Sequence, residues 1–321
     1  MAKKDNLKVA LAQIAPVWIN REATLTKVMN YVSQAANEGA ELVVFGEAIL
    51  PGYPFWLDRM NGAVFNSKMQ KEIHAHYVDQ AVCIEDGHLE ALRKQAKELS
   101  IAIYVGTIER PKDRGGHSLY CSLVFINQHG EIKSVHRKLI PTYEERLAWS
   151  QGDGHGLVTH ALPPFTVGGL NCWENWMPLA RTALYAEGED LHIAVWPGNK
   201  RNTIDLTSLM AKEARSFVIS VSGVFRPQDI PDDFPHAHIM RDNTNKTLAN
   251  GGSCIAAPDG RWVIEPFIDE EKLVTAELDH QLVREERQNF DSVGHYSRPD
   301  VLKLHVNKER QGVMGDGFKE Q

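Results

Sequence analysis

LKVALAQI (residues 7–14), REATLTKVMNYVSQAANE (21–38) and ELVVF (41–45) decide the fold. The first is an apolar run short enough for a buried strand. The second spaces Leu25, Val28, Met29, Val32 and Ala36 at helical intervals, and Gly39 stands where a C-cap is expected. The third is a second strand. Strand, helix and strand at this spacing make a βαβ unit. Downstream of it, helices are expected over residues 65–81 and 87–99 and a strand over 101–106. Residues 118–126 and 131–135 flank the turn Asn127-Gln128-His129-Gly130 and read as a hairpin.

The second half repeats the theme. Strands are expected at 165–172, 191–196 and 218–224, with helices at 178–187 and 205–217 between them. Residues 253–256, 262–265 and 272–277 read as further strands, and 278–288 as a helix. Residues 226–247 are polar and proline-bearing and read as an exposed insertion. No repeat and no Gly/Ser/Pro-rich linker divides the chain. The expectation is one α/β domain over residues 1–300 with two similar layers, followed by a tail at 301–321 too short to pack.

The 321 residues carry a net charge of −7, which argues against a nucleic-acid partner. Four widely spaced cysteines without a CxxC suit reduced thiols and a cytoplasmic setting. No run has transmembrane length and the N-terminus lacks a signal-peptide core, so no membrane partner is expected. The glycine-rich SQGDGHG (150–156) ends in no Gly-Lys-Ser/Thr and reads as a turn.

Three residues stand in loops after expected strands: Glu47, Lys138 and Cys172. Cys172 lies between a strand end and a helix opened by Pro178, where free N–H groups and the helix dipole favour thiolate. Glu47 follows VVFG and precedes an aromatic loop, surroundings that raise a carboxyl pKa towards that of a general base. Lys138 can supply a cation for an anionic intermediate. Thiolate, base and cation together suit acyl transfer from nitrogen. A buried structural thiol and two solvated charges are the alternative reading of the same residues. His74 and His76, and His236 and His238, have no second cluster at zinc spacing and read as surface histidines. Cys83, Cys121 and Cys254 read as buried or incidental thiols.

KVALAQIAPVW (8–18), LVVFGEAILPGYPFW (42–56), HRKLIPTYEERLAWSQGDG (136–154), GGLNCWENWMPLARTALYAEG (168–188) and GHYSRPDVLKL (294–304) resemble the nitrilase superfamily, and within it the nitrilase branch. The resemblance implies a four-layer α-β-β-α sandwich. It implies Glu47 as general base, Lys138 as the cation at the tetrahedral intermediate and Cys172 as nucleophile, with Glu145 placing substrate and lysine. The resemblance also associates Cys-Trp-Glu, with Trp173 after the cysteine, with nitrilases rather than with amidases and carbamoylases. Tyr53, Trp173 and Trp196 are candidate pocket linings, and His295 a support of the pocket wall.

The implied reaction is nitrile hydrolysis to acid and ammonia through a thioimidate and a thioester, with no cofactor and no metal. The implied partners are a small nitrile and further copies of the chain, in a homo-oligomer built from dimers. An amidase, carbamoylase or cyanide-hydrolysing member shares the three reactive residues, and a non-catalytic scaffold needs none of them.

Overall fold

A computed structural model describes residues 5–312 of the chain. The first half runs β1 (Asn6–Gln13), α1 (Arg21–Asn37), β2 (Leu42–Phe45), α2 (Trp56–Arg59), α3 (Lys68–Gln80), α4 (Glu90–Leu99), β3 (Ala102–Glu109), β4 (Tyr120–Ile126) and β5 (Ile132–Arg137). The second half begins with β6 (His160–Leu162), β7 (Phe165–Asn171), α5 (Pro178–Tyr185), β8 (Leu191–Trp196), α6 (Lys200–Thr203) and α7 (Leu206–Ala214). It ends with β9 (Phe217–Ser222), β10 (Val224–Phe225), α8 (Ala237–Asp242), β11 (Ala249–Ala256), β12 (Trp262–Ile268), β13 (Lys272–Asp279) and α9 (Gln281–Arg287).

Two mixed sheets result. One has the order β13-β1-β2-β3-β4-β5; the other is β10-β11-β9-β8-β7-β6, with β12 on β11. Each has a parallel centre, β1-β2-β3 in the first and β7-β8-β9 in the second, with Leu11 opposite Val44 and Ile193 opposite Ile219. Antiparallel strands flank both centres. The last strand, β13, returns to the first sheet and pairs Val274 with Leu11.

Alternation along the strands explains the layers. Leu7, Val9 and Leu11 of β1 enter a core shared with Val167, Ile193, Val195 and Ile219 of the other sheet. Ala10 and Ala12, on the opposite face, pack with Val28, Val32 and Ala35 of α1 and Leu92 and Ala96 of α4. In the second sheet Ala194 and Trp196 turn outward onto Leu206, Met210 and Ala211 of α7, while Leu170 meets Ala180, Ala183 and Leu184 of α5. Strands apolar on both faces, as in ELVVF, are what a sheet covered by helices and by a second sheet requires. The sandwich is therefore helix, sheet, sheet, helix. The Asn20 side chain accepts the Ala23 N–H at 3.0 Å and starts α1.

Two expectations are corrected. Residues 226–247 are not a purely exposed insertion. Ile230, Phe234, Ala237 and Met240 are buried in a cluster with Trp18, Trp56 and Phe225, and the Phe234 ring centre lies 4.5 Å from that of Trp18. A few apolar anchors hold the segment although its polar residues dominate the composition. Nor is the whole tail loose. Residues 304, 306, 308 and 310 are half-buried in alternation with exposed neighbours, and Leu304 and Val306 pack on the cluster of Leu157, Leu170 and Leu184. Arg310 donates to Asp153 Oδ1 at 3.0 Å and to the Val135 carbonyl at 2.9 Å. The remainder of the expected tail, 313–321, lies outside the described residues.

Candidate active site

Glu47 stands just beyond the C-terminal end of β2, the usual place for chemistry in an α/β sheet. Its N–H donates to the Trp196 carbonyl at 3.2 Å, which ties the loop to the end of β8. Strand β3 passes very close beneath. A Cβ on Gly106 would lie 2.3 Å from the Gly46 carbonyl oxygen and 2.6 Å from the Ala48 nitrogen, so the position needs glycine.

Lys138 follows β5, and its N–H donates to the Cys121 carbonyl of β4 at 2.7 Å. The SQGDGHG turn has a packing role here. The Gly152 N–H donates to the Lys138 carbonyl at 2.8 Å, and a Cβ on Gly152 would meet the Arg137 carbonyl oxygen at 2.1 Å. Glu145 closes a capping box with Thr142: its Oε2 accepts the Thr142 N–H at 2.6 Å. Its Oε1 accepts the Tyr53 hydroxyl at 2.8 Å.

Cys172 opens a 3-10 turn after β7 at φ +47°, a left-handed conformation costly for a residue with a Cβ. The surroundings pin it there. The Glu174 carboxylate accepts the N–H groups of Asn171 at 2.8 Å and Leu139 at 2.7 Å, and faces His136 Nε2 at 3.1 Å. One buried carboxylate therefore staples the Cys172 turn to the loop that carries Lys138. Asn175 Nδ2 donates to the Cys172 and Leu170 carbonyls, and its Oδ1 pairs with His192 Nε2 at 2.8 Å. Glu189 in turn holds His192 Nδ1 at 2.9 Å. Neither Glu174 nor this chain was singled out from sequence. The spacing Asn171-x-x-Glu174, a capping-box pattern, was the available signal.

These elements bring four of the expected residues together. Lys138 Nζ donates to Glu47 Oε1 and to Glu145 Oε2, each at 2.8 Å, with all three side chains buried. Cys172 Sγ and a carboxylate oxygen from each of Glu47 and Glu145 lie within 4.8 Å of one another. Such a trio could ligate an ion, but the Lys138 ammonium already bridges the two carboxylates. Glu47 Oε2 is buried and has no hydrogen-bond partner.

The charges follow from burial. Desolvation raises the Glu47 carboxyl to about 7, opposed by the attraction of Lys138 and assisted by repulsion from Glu145. Burial, then Glu47, pushes the Cys172 thiol well above its ordinary range, so it rests protonated. Desolvation works against the Lys138 ammonium, yet its two carboxylates outweigh it and hold the cation firmly charged. For Glu174, burial favours the neutral acid, and His136 with the two backbone N–H groups more than reverses this.

A cavity of about 740 Å³ opens over Cys172 and Glu145. Tyr53, Phe55, Trp173 and Met177 give it an aromatic and apolar wall, and Arg59 and Arg201 are among its charged residues. Tyr53 and Trp173 thus occupy the expected wall. Trp196 does not: it is fully buried against Leu206 and Met210, donates from Nε1 to Ser220 Oγ at 3.3 Å, and serves the site only through its carbonyl. His295 is exposed beside Tyr296 and contributes nothing to the wall. Its segment follows α9 on the surface, away from the strand ends that build the site.

Replacing Glu174 by alanine strips three donors, the Asn171 and Leu139 N–H groups and His136 Nε2, of their acceptor. The expected cost is about 2–5 kcal/mol of stability. Displacing the Cys172 turn should add a fall in kcat of about a hundredfold. Urea unfolding and steady-state kinetics check the two effects separately.

Sandwich fold, buried glutamate–lysine pair and strained cysteine turn define a class, and sequence comparison agrees on it: residues 8–288 match the carbon-nitrogen hydrolase family. The chain belongs to that family. It is 35% identical over 313 residues to a protein named aliphatic nitrilase from Sinorhizobium fredii, covering 96% of this chain and 97% of that one. It is 34% identical to a Nitrilase 2 of an unknown prokaryotic organism (98% and 97% covered) and 34% identical to Nitrilase 2 of Arabidopsis thaliana (96% and 91%). Among solved structures, the fold matches a carbon-nitrogen hydrolase from Helicobacter pylori G27 with TM-score 0.66 at 19% identity, over 92% of this chain and 96% of that one. It also matches an amidase from Nesterenkonia sp. AN1 with TM-score 0.65 at 16% identity, over 88% and 97%.

Proposed function

We propose that the protein is a nitrilase, converting R–C≡N and two waters to R–COOH and ammonia. The observation that carries the mechanism is the division of labour on Glu47. Oε1 is engaged by Lys138 and Oε2 has no partner, while the Glu47 carboxylate belongs to the group that contains the Cys172 thiol. Oε2 takes the thiol proton as sulfur bonds to the nitrile carbon, and the proton passes to nitrogen, giving a thioimidate. Water adds with Glu47 as base, and the Lys138 ammonium steadies the charge that develops in the tetrahedral species. Ammonia leaves, and a second water hydrolyses the thioester. Because the resting thiol is protonated, proton transfer and attack are coupled rather than preceded by a standing thiolate.

Nitrile rather than amide chemistry is favoured by the names of relatives aligned over nearly the whole chain, and by Trp173, 55% exposed, beside the nucleophile in the cavity wall. Tyr53 and Trp173 are the substrate-lining residues of this reading. Ammonia release measured on benzonitrile, phenylacetonitrile, propionitrile, the matching amides and cyanide decides it; activity on amides alone would make the protein an amidase.

Among the described residues no helix is long and apolar enough to cross a membrane. We place the protein in the cytoplasm as a homo-oligomer built from dimers. Half-exposed Trp176 and exposed Leu179 and Leu209 supply apolar surface for such contacts. Light scattering on the wild type and on Trp176→Glu tests the assembly.

The raised Glu47 carboxyl predicts the pH profile. A base must be ionised in the free enzyme, so kcat/KM falls as pH drops through about 7. Stability runs the other way: between the ordinary carboxyl range and pH 7 the folded state binds more protons than the unfolded one, so this group's contribution is lost as pH rises. A rate profile flat from pH 5 to 8 would remove Glu47 from the role of base.

A further inference from the structure

Cys121 lies on β4, next to the strand end that carries Lys138, and its side chain is buried. Its Sγ is 3.5 Å from Glu47 Oε1, the oxygen that Lys138 also contacts, and 4.0 Å from Asn171 Oδ1. A single S–H serves one acceptor at a time, and the shorter, negatively charged one wins. We propose that Cys121 is a positioning residue for proton transfer: its thiol donates to Glu47 Oε1 and, with Lys138, saturates that oxygen so that Oε2 alone exchanges the proton with Cys172.

The groups around the Glu47 carboxylate are few. Lys138 reaches it from the end of β5, Cys121 from β4 and Cys172 from the turn after β7, while Glu145 approaches through the shared lysine. The Tyr53 hydroxyl is committed to Glu145, and that of Tyr77 donates to the Gly52 carbonyl at 3.0 Å. Lys138 and the Cys121 thiol are thus the two donors to Glu47 Oε1 among the described residues. Burial, and then Glu47 itself, keeps the Cys121 thiol protonated, which is what a donor requires. A donor to the ionised form favours that form, so Cys121 trims the pKa of the base as well as aiming it. The same carbonyl that receives the Lys138 N–H belongs to Cys121, so one residue touches both members of the pair.

This inference rests on Glu47 as the base, and its test needs no nitrile. Iodoacetamide alkylation of Cys172, quantified on its peptide by mass spectrometry from pH 5 to 9, reports when the base can accept the thiol proton. Wild type should show a limb near 7. Cys121→Ala removes the donor, and the limb should move up by about half a unit or more. Cys121→Ser supplies a stronger O–H donor, and the limb should move down. A purely structural role gives shifts in the same direction or none, and either result overturns the proposal. Should one variant fail to fold, the sign of the other's shift still decides. Normal alkylation limbs with no ammonia from any nitrile would sink the nitrilase reading and leave the role of Cys121 standing.

Discussion

Cys172→Ala should abolish ammonia release from every nitrile that the wild type hydrolyses, a loss of at least about 10⁴-fold. The fold should survive. The side chain is small, and the turn that holds it is built from Glu174, Asn175 and backbone rather than from the sulfur. Deleting one buried sulfur costs about 1 kcal/mol, far from global unfolding. Cys172→Ser is expected to be nearly as inactive, because a hydroxyl rests far further from its ionised form than a thiol and Glu47 is only a moderate base. Calorimetric titration of Cys172→Ala with phenylacetonitrile should still show binding in the cavity. Residual turnover in the alanine variant would mean that sulfur is not the attacking atom.

Lys138→Met should remove both activity and stability, for a reason that the geometry makes specific. The ammonium is 2.8 Å from each of two buried carboxylates. Without it, Glu47 and Glu145 face each other with no countercharge, and breaking a buried pair in this way costs about 3–5 kcal/mol. The Glu47 carboxyl, already raised by burial, loses the attraction that opposed the rise and favours its protonated form further, so the variant should be more stable at pH 5 than at pH 8. A raised folded-state pKa contributes stability that is present at low pH and lost as pH rises. Lys138→Met combined with Glu145→Gln should recover much of the lost stability and none of the rate, since the cation for the tetrahedral species stays missing. Thermal melts across pH, with activity on the same samples, separate the two roles. Equal stability of Lys138→Met at both pH values would contradict the buried-triad electrostatics.

Much of this site was legible in the chain. LKVALAQI and ELVVF carried the parallel centre of one sheet, and the strand–Cys172–Pro178 pattern carried the centre of the other. Glu47, Lys138, Glu145 and Cys172 stand in loops that follow strands, and they meet in space although they lie far apart in the chain. What composition could not convey was distance across two sheets. Whether the thiol and the carboxylates lay near one another depended on how the sheets stack, which no local pattern encodes.

Where the structure departs from the sequence pattern, the reasons are local. Trp196 ends a strand, and alternation sends its ring outward to Leu206 and Met210 while its carbonyl turns towards Glu47. Cys121 looked incidental because its neighbours in sequence are apolar; its chemical neighbours come from other strands. Two capping-box patterns, Thr142-x-x-Glu145 and Asn171-x-x-Glu174, were in plain view and mark the two carboxylates that shape the loops. In the segment after Asp300, the period-two spacing of Leu304 and Val306 was the signal for a packed extended strap.

The central claim is covalent catalysis at Cys172, and trapping the intermediate tests it most directly. Wild type mixed with phenylacetonitrile, quenched in acid and digested should carry an added thioimidate or acyl mass on the peptide containing Cys172. The adduct should form and decay at rates that match release of phenylacetic acid and ammonia. Product formed with no adduct, or with the adduct on another residue, would contradict the account.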